Sequence, residues 1–216
     1  MTPTLEQIEA LAATHFLEVL GGFDPGPDEE GFPEGTRSLL LLGPKEPGFW
    51  VHFTAQPEWD GRPDPMDRWS LRAVGEIAAA LGATALMPFG GPPWHPFFRW
   101  ALRTGRAWQS PVRLLVHESQ GLMVSIRGAL ALRETVAVPA GVNPCIGCPA
   151  PCLTACPVGA LTADGFDVPA CHAFLDTPGG RGCLEGGCLV RRSCPVSQRY
   201  ARLPEQSAYH MRQFHK

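Results

Sequence analysis

CIGCPAPCLTACPVGAL, running from Cys145 to Leu161, sets four cysteines and three prolines in one short stretch. The other four cysteines follow as Cys171, Cys183, Cys188 and Cys194-Pro195, and none occurs before Cys145. So uneven a distribution marks residues 141–200 as a module of their own. It leaves residues 1–140 as a separate first domain that binds a ligand or docks a partner, and 201–216 as a C-terminal tail that reads either as a short helix packed across the module or as a frayed end. Eight thiols close together could form disulfides, bind zinc or hold iron–sulfur clusters. Met1 is followed by Thr-Pro-Thr-Leu-Glu rather than a basic patch and an apolar run. The expected compartment is therefore the cytoplasm, where thiols stay reduced, and this argues against disulfides.

The stretch resembles the bacterial-ferredoxin run C-x2-C-x2-C-x3-C-P, in which three thiolates wrap one cluster and the fourth reaches the other. The proline after the fourth cysteine lacks an N–H and fixes the chain direction there. The chain departs by one residue, with x3 between Cys148 and Cys152. The resemblance implies two [4Fe–4S] clusters: Cys145, Cys148 and Cys152 with Cys194, and Cys156 with Cys171, Cys183 and Cys188. Zinc is the remaining alternative, because C-x2-C is also a zinc half-site; the repeated Cys-Pro followed by small residues favours iron.

Upstream, Thr4 to Gln7 reads as a capping box opening a helix to about Leu20, closed by Gly21-Gly22. Residues 22–36 and 57–65 are rich in Gly, Pro and Asp and read as loops. Ser38 to Leu42 is a short apolar run expected to be a buried strand. A helix is expected from near Asp67 to Leu81, burying Trp69, Ala73, Ile77, Ala80 and Leu81. Thr84 to Met87 reads as a strand, and Pro96 as the start of a short helix through Trp100. Val112 to His117 and Leu122 to Leu132 read as an antiparallel hairpin around Glu118-Ser119-Gln120-Gly121. The expected class is α+β: a mixed sheet with flanking helices, then a small helix-and-loop module.

The stretch His117-Glu-Ser-Gln-Gly121-Leu-Met-Val-Ser125-Ile-Arg127-Gly resembles the hairpin of the cobalamin-processing CblC family, which is nitroreductase-related. Arg37 to Leu42 and Asp64-Pro65-Met66-Asp67-Arg68 are similar to that family in order and spacing. The order of the eight cysteines resembles that of epoxyqueuosine reductases, which, like reductive dehalogenases, join a CblC-like domain to two clusters. The combined resemblance covers most of residues 35–195. It implies a corrinoid (cobalamin) in the first domain, reduced by the clusters or stripped of its upper ligand, with a ferredoxin or flavodoxin as electron donor. On this reading His117 lies near the cobalt, Gly121 and Ser125 line the same hairpin, and Arg127 anchors a polar group of the corrinoid. Trp94 and His95, after Gly90-Gly91, approach its planar face. His117, Arg127, Trp94 and His95 each also fit a purely structural role.

Epoxyqueuosine reductases carry a catalytic aspartate shortly before the hairpin, and here no Asp occurs between Asp67 and Asp164. No catalytic residue is therefore assigned, and tRNA modification is not expected. A net charge of −3 gives no basic field for nucleic acid, and no apolar run is long enough to span a membrane. A flavin is compatible with the fold, although no residue demands it. The second reading is a ferredoxin-type electron carrier whose first domain docks a protein partner.

Overall fold

Thr4 caps the first helix as its sequence dictates: Gln7 N–H donates to Thr4 Oγ1, and Thr4 N–H donates to Gln7 Oε1. The structure is a computed structural model that describes residues 2–26 and 31–216, so part of the expected 22–36 loop lies outside the described residues. In chain order α1 (Leu5–Thr14) leads into β1 (Leu17–Phe23), β2 (Ser38–Pro44), α2 (Phe49–Thr54) and α3 (Pro65–Leu81). There follow β3 (Thr84–Leu86), α4 (Phe97–Arg103), β4 (Ala107–Gln109), β5 (Leu115–His117) and β6 (Gly128–Leu132). The remainder is helical: α5 (Val168–Leu175), α6 (Arg181–Gly186), α7 (Leu189–Ser193), α8 (Pro195–Arg199) and α9 (Pro204–Phe214).

The chain divides into two compact units, Met1–Ala107 with Ser125–Val142, and Trp108–Val124 with Asn143–Lys216. One expectation is corrected by this division: residues 108–124 belong with the cysteines rather than with the first domain. Residues 201–216 take the helical of their two expected forms, since α9 packs on α6.

The first unit is a four-stranded sheet in the order β1-β2-β6-β3, and each of its three pairings is antiparallel. With its flanking helices it gives the α+β class expected. All of β2 is buried, which is why its leucines run without polar alternation. The first helix stops at Thr14 rather than near Leu20, because Phe16 takes a left-handed turn (φ 52°) and Leu17 pairs with Pro44. Leu17, Val19 and Leu20 are buried on that strand, and their sheet contacts outweigh a weak helical preference.

Helix α3 starts at Pro65 and ends on Gly82 in the left-handed region, as its sequence signals require. Its buried face holds Trp69, Ala73, Val74, Ile77 and Ala78; Ala80, expected inside, is exposed, and Leu81 is only half-buried. Trp69 meets Phe49 and Phe53 edge-on at 5.4 and 5.7 Å between ring centres. These aromatics form a fully buried cluster of the core, and α2 delivers two of them.

The expected hairpin does not form. β5 pairs with β4, whereas β6 pairs with β2 and β3. Only a single bridge, His117 to Gly121, closes the intervening turn. The physical reason is burial: Val112, Val116 and Leu122 enter the core of the cysteine unit beside Cys152 and Cys194. Gly128 to Leu132 instead lie buried in the sheet, opposite Ser38 to Leu42.

Candidate metal centre

The cysteines reach their positions on short, irregular elements punctuated by proline. Pro151–Leu153 is a single 3-10 turn carrying Cys152. Asp167 caps α5 through the Ala170 N–H and places Cys171 in its first turn. Cys183 lies in α6. Cys188 and Cys194 are the two caps of α7, and Pro195 then opens α8.

All eight cysteines are free thiols, and they gather into two quartets. Cys145, Cys148, Cys152 and Cys194 line one cavity of about 240 Å³, together with Val116, Leu122, Ile146 and several prolines. Cys156, Cys171, Cys183 and Cys188 line another, narrower cavity of about 30 Å³, with Val158, Leu175 and Val190 around them. Its volume is about the share of one water molecule in the liquid. These are the same two sets that the ferredoxin spacing pairs. Among the described residues no three His, Cys, Asp or Glu side chains converge on a single ion; each quartet is spread around a space instead.

The electrostatics follow the same partition. Burial pushes the Cys145 thiol above its usual value, and Cys148, Cys194 and Cys152 add to the effect. Burial likewise raises Cys152, with Cys194 and Cys148 contributing. In the other quartet Cys171 is pushed up to about 11 by burial and then by Cys188, Cys156 and Cys183. Cys183 rises for the same reasons, opposed by a backbone hydrogen bond from Leu189 and by the nearby positive charge of Arg192. Without a cation these thiols keep their protons at neutral pH, so a metal must displace them on binding.

Two short bridges join the quartets, Cys152 to Cys156 and Cys188 to Cys194. The second is α7, whose six steps from cap to cap span ~9 Å. Arg191 lies in its middle and donates through Nη1 to the Leu122 carbonyl. The residue as a whole is half-buried, but its guanidinium is the enclosed part: burial draws it below its usual range, opposed by its electrostatic interaction with Cys188. Cys156 Sγ also accepts a hydrogen bond from the Ala160 N–H at 3.3 Å.

Residues 117–122 buttress Cys194. Leu122 N–H donates to Ser197 Oγ at 2.9 Å, anchoring the turn to the start of α8. Gly121 has φ +58°, and a Cβ there would stand 2.5 Å from Ser197 N and 3.0 Å from Cys194 Sγ. Glycine is required at this close approach. His117 is buried at 1% exposure, and its Nδ1 accepts from the Ser119 N–H at 3.3 Å, which puts the proton of the neutral ring on Nε2.

The six residues expected around a corrinoid divide between the two units: His117 and Gly121 in the cysteine unit, Ser125, Arg127, Trp94 and His95 in the other. Arg127 Nη1 lies 3.7 Å from Asp67 Oδ1, and its Nε donates to the Ile126 carbonyl. Ser125 is half-buried and presents its carbonyl to Gly43. Trp94 is 64% exposed and folds back over Gly91, while His95 packs on Trp100 at 5.3 Å. Trp69 and Trp100 are core residues, as expected.

Sequence reasoning missed Arg191 and Ser197. Both lie within three residues of Cys194, and that proximity was the available signal.

No helix among the described residues is long and apolar enough to cross a membrane. The chain matches no family model, no curated protein and no solved structure at the threshold for significance.

Proposed function

We propose that this is a two-cluster iron–sulfur redox protein, in which Cys145, Cys148, Cys152 and Cys194 hold one [4Fe–4S] cluster and Cys156, Cys171, Cys183 and Cys188 the other. The observation that carries the reading is the sorting of eight free thiols into two quartets, each around its own cavity. Four cysteine thiolates are the donor set of such a cluster. A single zinc ion asks for four sulfurs at about 2.3 Å from one point, and iron and sulfide analysis separates that alternative from the clusters. Loading the narrower second cavity displaces its walls, and loading either releases protons from the raised thiols.

Bound clusters supply one-electron storage at low potential. The chain's own contribution is positional. The Cys152–Cys156 segment and α7 fix the spacing of the two sites, apolar walls exclude water, and the Arg191 guanidinium sets a fixed positive charge beside Cys188. Such a charge favours the more negative, reduced state of a nearby group.

The module is ferredoxin-like on this reading, and the first unit is of the nitroreductase-related, CblC-like kind. The acceptor of the electrons is then a corrinoid, reduced at cobalt or relieved of its upper ligand, with a ferredoxin or flavodoxin as donor. A second reading is an electron carrier whose first unit docks a protein. It is favoured by the exposed apolar side chains Val51, Leu71 and Trp94 of that unit.

Iron and acid-labile sulfide analysis after anaerobic reconstitution, with EPR of the reduced protein, tests the clusters; zinc without sulfide overturns them. Anaerobic titration with cob(II)alamin then tests the acceptor. Perturbed cobalt EPR signals at stoichiometric protein support the corrinoid reading. Unchanged cobalt signals beside intact cluster signals leave the electron carrier.

A further inference from the structure

The cysteine unit carries a third hollow, of about 520 Å³, that touches neither quartet's thiols directly. Arg192, Ser193, Ser197, Gln198, Arg202 and Ser207 supply its polar lining, and no Asp or Glu lines it. Two guanidinium groups thus share one hollow without a carboxylate among its walls. Arg202 is fixed in place, donating through Nη1 to the Met123 carbonyl at 2.9 Å. Arg192 is exposed, and its Nη1 comes within 3.0 Å of where a Cβ on Gly186 would stand. Its backbone is tied by Gln198 Nε2, which donates to the Arg192 carbonyl at 3.2 Å.

We infer that this hollow is a binding site for the oxyanion of a small molecule, a phosphate or a carboxylate group. The chemistry is that of the wall. A guanidinium fork matches the oxygens of either group bidentately, and serine hydroxyls and a glutamine amide complete the donors. The volume lies within the range usual for small-molecule sites. The site adjoins α7, so a molecule held there is close to both thiol quartets. The inference goes beyond the two-cluster reading and does not depend on it, because binding of an oxyanion is measurable with or without iron.

Calorimetric titration of the full chain with inorganic phosphate, and separately with malonate, tests the site. Saturable binding of either is expected, and the ligand that binds identifies the source as phosphate or carboxylate. In Arg192→Gln the affinity should fall about tenfold or more, as loss of a charge-assisted hydrogen bond requires. Arg192→Lys should recover part of it. The exposed Arg181, paired with Glu185 at 3.8 Å, serves as control, and Arg181→Gln should bind as the natural chain does. Because the Arg192 side chain is exposed, its replacement leaves folding intact, which a thermal melt checks. Absence of saturable binding for both anions, or equal affinity in Arg192→Gln, overturns the inference.

Discussion

Replacing Gly121 by alanine should damage one thiol quartet and spare the other. A residue with a Cβ pays about 1 kcal/mol or more to hold the left-handed conformation that Gly121 adopts at φ +58°. The new methyl would also stand 2.5 Å from Ser197 N, 2.6 Å from Ser197 Oγ and 3.0 Å from Cys194 Sγ. One of those neighbours is backbone at the start of α8, so it cannot simply rotate away. Overpacking of this kind costs about 1–3 kcal/mol, and the two effects together come to about 3 kcal/mol. That is a large share of the stability of a small unit. The displaced atoms carry Cys194, so iron bound by the first quartet should be lost while the second quartet keeps its own. Guanidinium unfolding reads the first effect; iron per chain and EPR of the reduced protein read the second. Gly182→Ala is the control, since nothing lies near its Cβ direction within α6 and alanine favours helix. Full iron and an unchanged unfolding midpoint in Gly121→Ala would refute the reasoning.

Gly187→Ala is the counterpart for the second quartet: φ is +92° and a Cβ would meet Ser207 Cβ at 2.6 Å, so EPR should show the other cluster signal reduced. Cys156→Ser should abolish the signal of the second cluster although Cys156 belongs to the first sequence group, and Cys194→Ser should abolish the first; iron analysis showing the reverse assignment would sink the crossed pairing. In the first unit, Arg72 grips Glu58 at 2.7 and 3.0 Å and holds its carboxyl below the ordinary value of 4.5. A depressed carboxylate contributes stability above its unfolded value and loses it as pH falls through the folded one. Arg72→Gln should therefore cost about 1 kcal/mol at pH 7, a gap that closes in unfolding curves taken well below pH 4.

Legibility in the sequence followed the range of the interactions. The capping box at Thr4, the leucine run of β2, the boundaries of α3 and the thiol partition all rest on neighbours close in sequence or on one repeated spacing. What failed depended on distant partners. Leu17 to Leu20 continue a helical pattern, and only the pairing with β2 makes them a strand. Leu122 and Leu130 look like parts of one apolar run, yet one is buried among the cysteines and the other in the sheet. The aromatic stretch of α2 carries no period that tells a short helix from a strand. Arg191 was marked in the sequence only by its nearness to Cys194, because its contact with the Leu122 carbonyl joins residues far apart along the chain.

The crossing of the quartets has a consequence for assembly. If each quartet is closed by a metal core, Cys145 is tied to Cys194 and Cys156 to Cys188, so the second tether is nested inside the first and the first site cannot be completed until the chain has passed through the second. Each closure removes freedom from the unfolded chain, by about 3–4 kcal/mol for loops of this general size if a tether acts as a cross-link does. The second closure then costs less than the first, because the shared segments are already held. Occupancy of the two sites should rise together, with little half-filled protein at intermediate iron supply.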